Sequence, residues 1–309
     1  MLADRSRIVT VALRWARVDV NGFSMHYEER GRGEPVVFVH GGFASLGRTL
    51  LDPEEYEWGE WEAEFAQRFR FITYDRRGCA RSSCPSDGYE VENQARDLAG
   101  LLDHLGLASA HVVGSSAGGP MALAFAALFP QRTRSLVLVG TGLDLFRSDE
   151  PGTAEAVVKE QIALLKAEGP EAAFMNRPAG VEVWLEPLWM ADEAKERGEL
   201  DQFRAHERRL AARAADTPIA ERVAYSAAEL RNIKAYIDYD GREFTGDVKA
   251  PTLVIHGQRD RAIPLAWGIE LAEAIPGAEF HVVPAGSHGL LWRDPEARHT
   301  VLDFIKRTT

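Results

Sequence analysis

The run Gly114-Ser115-Ser116-Ala117-Gly118 sets a serine at the centre of a G-x-S-x-G pattern. It lies between an apolar stretch ending at Val113 and a run of small and apolar residues reaching Phe129. A serine hydroxyl is a weak nucleophile, and a sharp strand-to-helix turn of this composition is the device that exposes it at the top of a sheet. The chain must cross close to itself there, so small neighbours are needed, and Gly114, Gly118 and Gly119 supply them. The central position belongs to Ser116, not Ser115. The alternative is a phosphate-binding turn at a helix N-terminus. The Gly-Lys pair of a Walker loop and the G-x-G-x-x-G dinucleotide pattern are both missing from this run.

A serine nucleophile needs a general base, and the base needs a carboxylate to orient it. Asp260, in His256-Gly257-Gln258-Arg259-Asp260, and His288, in Ala285-Gly286-Ser287-His288-Gly289, follow Ser116 in the order nucleophile, acid, base. Each stands just beyond a β-branched run, at the carboxyl end of an expected strand, where open α/β sheets bind ligands. Taken singly, Asp260 reads as a surface ion-pair member between Arg259 and Arg261, and His288 as a helix-start residue. Asp144, beyond the run ending at Val139, is the rival acid. A tetrahedral intermediate needs two backbone N–H donors. Ala117, next after the nucleophile, is expected to supply one and Gly42 of His40-Gly41-Gly42-Phe43 the other, with Phe43 the alternative; His40 reads as an organiser of that loop.

These residues require a sheet to hold them. Asn21-Gly22 between two short alternating runs predicts a hairpin. Val36–Val39, Phe71–Tyr74, His111–Val113 and Leu136–Val139 predict buried parallel strands, and Pro251–Ile255 and Glu279–Val283 continue the series. Helical patterns alternate with them at Trp61–Phe69, Val91–Leu105, Ser116–Phe129, Pro264–Ala274 and Leu290–Lys306, which predicts an α/β fold with a mostly parallel sheet flanked by helices. Roughly Leu143 to Asp240 is helical in pattern and rich in Ala, Glu and Arg, too long for a loop. The division expected is a core over 1–143, an inserted helical cap over 144–240 and the rest of the core over 241–309.

Of the 309 residues 45% are hydrophobic and 27% charged, the proportions of a soluble globular chain. A net charge of −11 argues against nucleic acid. No apolar run is long enough to span a bilayer, and Met1–Arg17 carries Asp4 and several arginines where a signal peptide needs apolar residues, so a cytoplasmic location is expected. Cys79 and Cys84 lack the Cys-x-x-Cys spacing, and the histidines lack the spacing of a helical zinc site, so neither metal nor cofactor is implied. The partner expected is a small-molecule substrate, with self-association left open.

Beside the elbow, Tyr74-Asp75-Arg76-Arg77-Gly78-Cys79-Ala80-Arg81-Ser82 and the loop from Gly257 to Pro264 give the chain its resemblance to the α/β-hydrolase superfamily. It resembles above all the capped esterase, lactonase and cofactor-free haloperoxidase-like branch. The resemblance covers nearly everything outside the cap and implies the α/β-hydrolase fold, but it says little of substrate. Ser116 speaks against the dehalogenases and epoxide hydrolases of this fold, which use aspartate. Proline iminopeptidases share His-Gly-Gly, yet Phe43-Ala44 and Ala117 depart from their pattern. The expectation is therefore an ester or lactone hydrolase for uncharged substrates of modest size. Its alternatives are an aminopeptidase or carbon-carbon bond hydrolase and, outside enzymes, a hydrolase-like ligand receptor. Large apolar residues in the cap, Phe174-Met175 and Val183 to Met190 with Trp184 and Trp189, together with Phe43 and the long loop 43–60, are expected to line or cover the pocket.

Overall fold

The structure, a computed structural model, describes residues 14–42, 60–146, 154–177 and 188–309, apart from a few helical side chains, that of Trp189 among them. Strands β1 (Arg14–Val20) and β2 (Phe23–Arg30) pair antiparallel, with Val20 opposite Phe23. Asn21 and Gly22 join them at φ 46° and 83°, the two positive values that a two-residue turn matching the strand twist demands.

From there strands and helices alternate. β3 (Pro35–Val39), α1 (Glu60–Ala66), β4 (Arg70–Tyr74), α2 (Val91–His104), β5 (Ala110–Ser115), α3 (Gly118–Leu128) and β6 (Thr133–Val139) form the first part. β7 (Thr252–Gly257), α10 (Leu265–Ala274), β8 (Glu279–Val283), α11 (Leu290–Arg293) and α12 (Pro295–Arg307) form the last. The sheet runs β1-β2-β4-β3-β5-β6-β7-β8, parallel from β4 onward.

The continuous apolar runs have a direct cause, since both faces of the central strands are buried. Val37 and Val39 of β3, and Leu136 and Leu138 of β6, pack with Leu98, Leu101, Met121 and Phe125 of α2 and α3. Their sequence neighbours Val36, Phe38, Val137 and Val139 face the other way, onto Trp61, Phe65, Val301 and Phe304 of α1 and α12.

Between β6 and β7 lie α4 (Ala154–Glu168), α5 (Pro170–Met175), α6 (Leu188–Glu196), α7 (Leu200–Asp216), α8 (Ile219–Ile237) and the short α9 (Arg242–Thr245). β6 and β7 are direct neighbours, Val137 opposite Leu253, so the helices are inserted between adjacent strands of one sheet. Val158, Ala173, Leu230 and Ile233 give the insertion a small core of its own. A second stripe of α8 docks on the loop after β4. Tyr225 donates to the Ala80 carbonyl (2.8 Å) and Asn232 to the Arg77 carbonyl (3.0 Å). That loop is itself anchored by Arg77, which grips Asp97 of α2 through Nε (3.0 Å) and Nη2 (2.7 Å).

One element departs from the sequence reading. The single helix expected over Leu290–Lys306 is two, broken at Asp294. Pro295 offers no N–H and favours an extended predecessor, and Asp294 sits at φ −114°, ψ 109°, accepting from the Glu296 and Ala297 amides at 2.9 and 3.1 Å.

Candidate active site

Ser116 closes the turn between β5 and α3 with φ at 51°, a left-handed conformation that is costly for a residue with a Cβ. The turn is held from both sides: Ser116 N–H donates to the Val139 carbonyl (2.9 Å), and its own carbonyl accepts from Gly119 N–H (2.8 Å). The glycines are there for space. A Cβ on Gly118 would stand 2.2 Å from the Val39 carbonyl oxygen, and one on Gly41 would stand 2.8 Å from the Cβ of Ser116. The β3 loop and the serine turn are thus in direct contact where β3 has neighbours on both sides, the crevice at which sheets of this kind take ligands.

His288 follows β8 and Asp260 follows β7. His288 Nε2 lies 3.0 Å from Ser116 Oγ, and its Nδ1 lies 2.8 Å from Asp260 Oδ2. The other oxygen of Asp260 accepts from the Ala262 and Ile263 amides at 2.9 and 2.8 Å, which leaves Oδ2 for the histidine. The Asp260 side chain is fully buried, whereas that of His288 is 15% exposed. This combination suits a fixed carboxylate behind a ring that can receive a substrate. The rival Asp144 is engaged locally, its Oδ1 accepting from the Phe146 amide (3.0 Å).

Two features escaped the sequence reading. His256, on β7, is buried beside Asp260 (3.6 Å) and bonds the Ile263 carbonyl (2.9 Å), bracing the peptide that holds Asp260; burial lowers its pKa. Arg76 and Tyr236 lie behind the serine turn. Arg76 falls in the Tyr74-to-Ser82 segment that carries the family resemblance, which assigned it no role, and the sequence signal for Tyr236 is the recurrence of polar residues, Tyr225, Asn232 and Tyr236, on one face of α8.

Neither the Ala117 nor the Gly42 amide has an intramolecular acceptor among the described residues. His40 organises the loop, accepting from the Arg76 amide at Nε2 (3.3 Å) and bonding the Gly41 carbonyl through Nδ1 (2.7 Å). Phe43, Trp184 and the loop 43–60 up to residue 59 lie outside the described residues, as does the side chain of Trp189 in α6. Met175 is 71% exposed, while Phe174 is buried under the Arg177 guanidinium, 3.8 Å from its ring centroid. The insertion reaches the His288 side through Arg197, which donates to Ser287 Oγ (3.1 Å), and through the pairs Arg261–Glu196 (2.6 Å) and Arg293–Glu199 (3.1 Å).

An eight-stranded sheet with a serine turn after β5, an acid after β7 and a histidine after β8 defines a hydrolase of the α/β type. The chain belongs to the family described as the alpha/beta hydrolase fold, whose model matches residues 34–295. Among curated relatives, the 2-hydroxy-6-oxononadienedioate/2-hydroxy-6-oxononatrienedioate hydrolase of Paraburkholderia phymatum is 31% identical over 91% of this chain and 90% of its own. Among solved structures, the enol-lactonase of Burkholderia xenovorans is 26% identical with a TM-score of 0.64, covering 94% of this chain and all of that one. A bromoperoxidase of Bacillus anthracis is also 26% identical, with a TM-score of 0.66 over 95% of this chain and all of its own. No described helix is long and apolar enough to cross a membrane.

Proposed function

We propose that this chain is a serine hydrolase that opens uncharged esters or lactones of modest size through an acyl-enzyme. The observation that carries the reading is the unbroken chain Ser116 Oγ–His288 Nε2–His288 Nδ1–Asp260 Oδ2 at 3.0 and 2.8 Å, with the nucleophile in the left-handed conformation. Ser116 Oγ attacks the carbonyl carbon while His288 Nε2 takes its proton. The carbonyl oxygen, now anionic, receives the amides of Ala117 and Gly42. His288 then hands the proton to the departing alkoxide, and the acyl group stays on Ser116. Water repeats the sequence with His288 again as base, releasing the acid. Asp260 keeps the Nδ1 proton in place and stabilises the imidazolium without taking that proton. Residues 144–240 act as a cap over this crevice.

A second reading, hydrolysis of a carbon-carbon bond by the same three residues, is favoured by those curated relatives that are named as 2-hydroxy-6-oxononadienedioate/2-hydroxy-6-oxononatrienedioate hydrolases, whose named substrates are dioates without an ester. Such a substrate brings two carboxylates. Among the described residues, Arg197, Arg261 and Arg293 on the His288 side are each already paired with a carboxylate, Glu193, Glu196 and Glu199, which supports the uncharged class. The test is turnover of a p-nitrophenyl ester series and a lactone panel against a dicarboxylic monoester and a 2-hydroxy-6-oxo-dienedioate, each with a Ser116→Ala control. Preference for the uncharged esters or lactones is expected. Preference for the dioate would establish the second reading, and covalent labelling by a fluorophosphonate without turnover of any substrate would mark a ligand receptor.

A further inference from the structure

Arg76 is 1% exposed and forms no ion pair with a carboxylate among the described residues. Its Nε is buried without a hydrogen-bond partner. A charge held this deep without a counter-ion among the described residues is costly and calls for an explanation. The two ends of the guanidinium supply one. Nη2 donates to the carbonyl of Gly42, in the loop after β3. Nη1 donates to the hydroxyl of Tyr236 (2.8 Å), and that hydroxyl donates to the carbonyl of Ala117, the residue after the nucleophile. Tyr236 belongs to α8 of the insertion and is 1% exposed. One hydrogen-bond chain therefore runs from the inserted helix to both residues whose amides are assigned above to the oxyanion, and it holds each by its carbonyl.

Resting on the serine chemistry proposed above, we propose that Arg76 and Tyr236 are positioning residues for the oxyanion site. Through its two carbonyl contacts the pair fixes the spacing between the Ala117 and Gly42 amides. The buried guanidinium also adds positive potential behind the point where negative charge develops in the transition state, in a setting where water screens it little. Hydrogen bonds in series strengthen one another, so loss of one member weakens the rest. Substrate in its ground state carries no such charge, so the effect falls on kcat and on the binding of tetrahedral adducts, while KM is largely untouched. The pair also makes the hydrolytic site dependent on the insertion being docked, because α8 supplies the tyrosine hydroxyl.

The experiment compares Tyr236→Phe, Arg76→Lys and Arg76→Met with wild type and Ser116→Ala on one p-nitrophenyl ester, measuring kcat, KM, thermal midpoint and inhibition by an alkyl boronic acid. Tyr236→Phe keeps the ring and removes only the hydroxyl, so it decides the matter if the arginine variants fail to fold. Expected is a fall in kcat of about 10-fold or more for Tyr236→Phe, below the 10²–10³ of a lost direct donor. KM should stay within twofold, and boronic acid affinity should fall in parallel with kcat. In the arginine series, Lys is expected to retain more activity than Met. A Tyr236→Phe enzyme with kcat within fivefold of wild type, or a loss confined to KM with boronic acid affinity unchanged, would overturn the proposal while leaving an inactive Ser116→Ala and the proposed function intact. An active Ser116→Ala would instead remove the chemistry on which both stand.

Discussion

Exchanging Asp260 for asparagine replaces one carboxylate oxygen by an amide nitrogen, and the surroundings decide which. Oδ1 accepts from the Ala262 and Ile263 amides at 2.9 and 2.8 Å, and these donors need an oxygen opposite them. The NH2 group of asparagine is therefore driven to the place of Oδ2, facing His288 Nδ1 at 2.8 Å. Turning the amide over would set NH2 against two N–H donors in a fully buried site, at roughly 1–3 kcal/mol for each bond lost. Faced by a donor, Nδ1 must give up its proton and the ring carries it on Nε2, where it points at Ser116 Oγ 3.0 Å away. The base is then in the wrong tautomer to accept the serine proton. The same exchange in a serine protease of another fold lowers kcat about 10⁴-fold, and a loss of about 10³- to 10⁴-fold, roughly 4–5.5 kcal/mol of barrier, is expected for Asp260→Asn. Steady-state hydrolysis of p-nitrophenyl butyrate between pH 6 and 9 measures it, with circular dichroism as the fold control and Asp144→Asn in parallel. A loss smaller than tenfold, or a larger one in Asp144→Asn, would refute the assignment of the acid.

Further outcomes are expected from other parts of the molecule. A Gly118→Ala side chain would press on the carbonyls of Val39 and His40 at 2.2 and 2.7 Å, both backbone atoms, so activity and thermal midpoint should fall together; unchanged kcat would show that the serine turn tolerates displacement. Arg77→Met leaves the Asp97 carboxylate buried without its bidentate partner and should lower unfolding free energy by about 3–5 kcal/mol in urea titrations, with much of it regained on adding Asp97→Leu. Burial in α8 pushes the Glu229 carboxyl up to about 8, from an ordinary value of 4.5. The folded state thus favours the protonated form, and the stability this confers is complete below about pH 4.5 and is lost as pH rises through 8. Glu229→Gln should therefore match wild type near pH 4 and exceed it at pH 8.5, by at most roughly 5 kcal/mol. Equal stability of the two proteins at both pH values would show that the carboxyl is solvated.

The central strands were legible in the sequence because each is short, local and buried on both faces, which leaves unbroken β-branched runs such as Val36–Val39 and Leu136–Val139. The hairpin was legible because Asn21-Gly22 meets a backbone demand that few other pairs satisfy. That Ser116, Asp260 and His288 would meet could be read for the same reason, since each stands directly at or a few residues beyond the carboxyl end of a strand and their chain order is characteristic. Where local signals compete, reading failed. The apolar periodicity of 290–306 hid a break that Asp294-Pro295 imposes. Tertiary structure alone decided the other long-range meetings. Arg76 and Tyr236 are 160 positions apart, and what joins them is the order of strands across the sheet and the face that α8 turns to the core. Periodicity along the chain identifies which residues share a face of an element. It carries no information on which neighbour that face will meet, because that depends on how distant elements pack together.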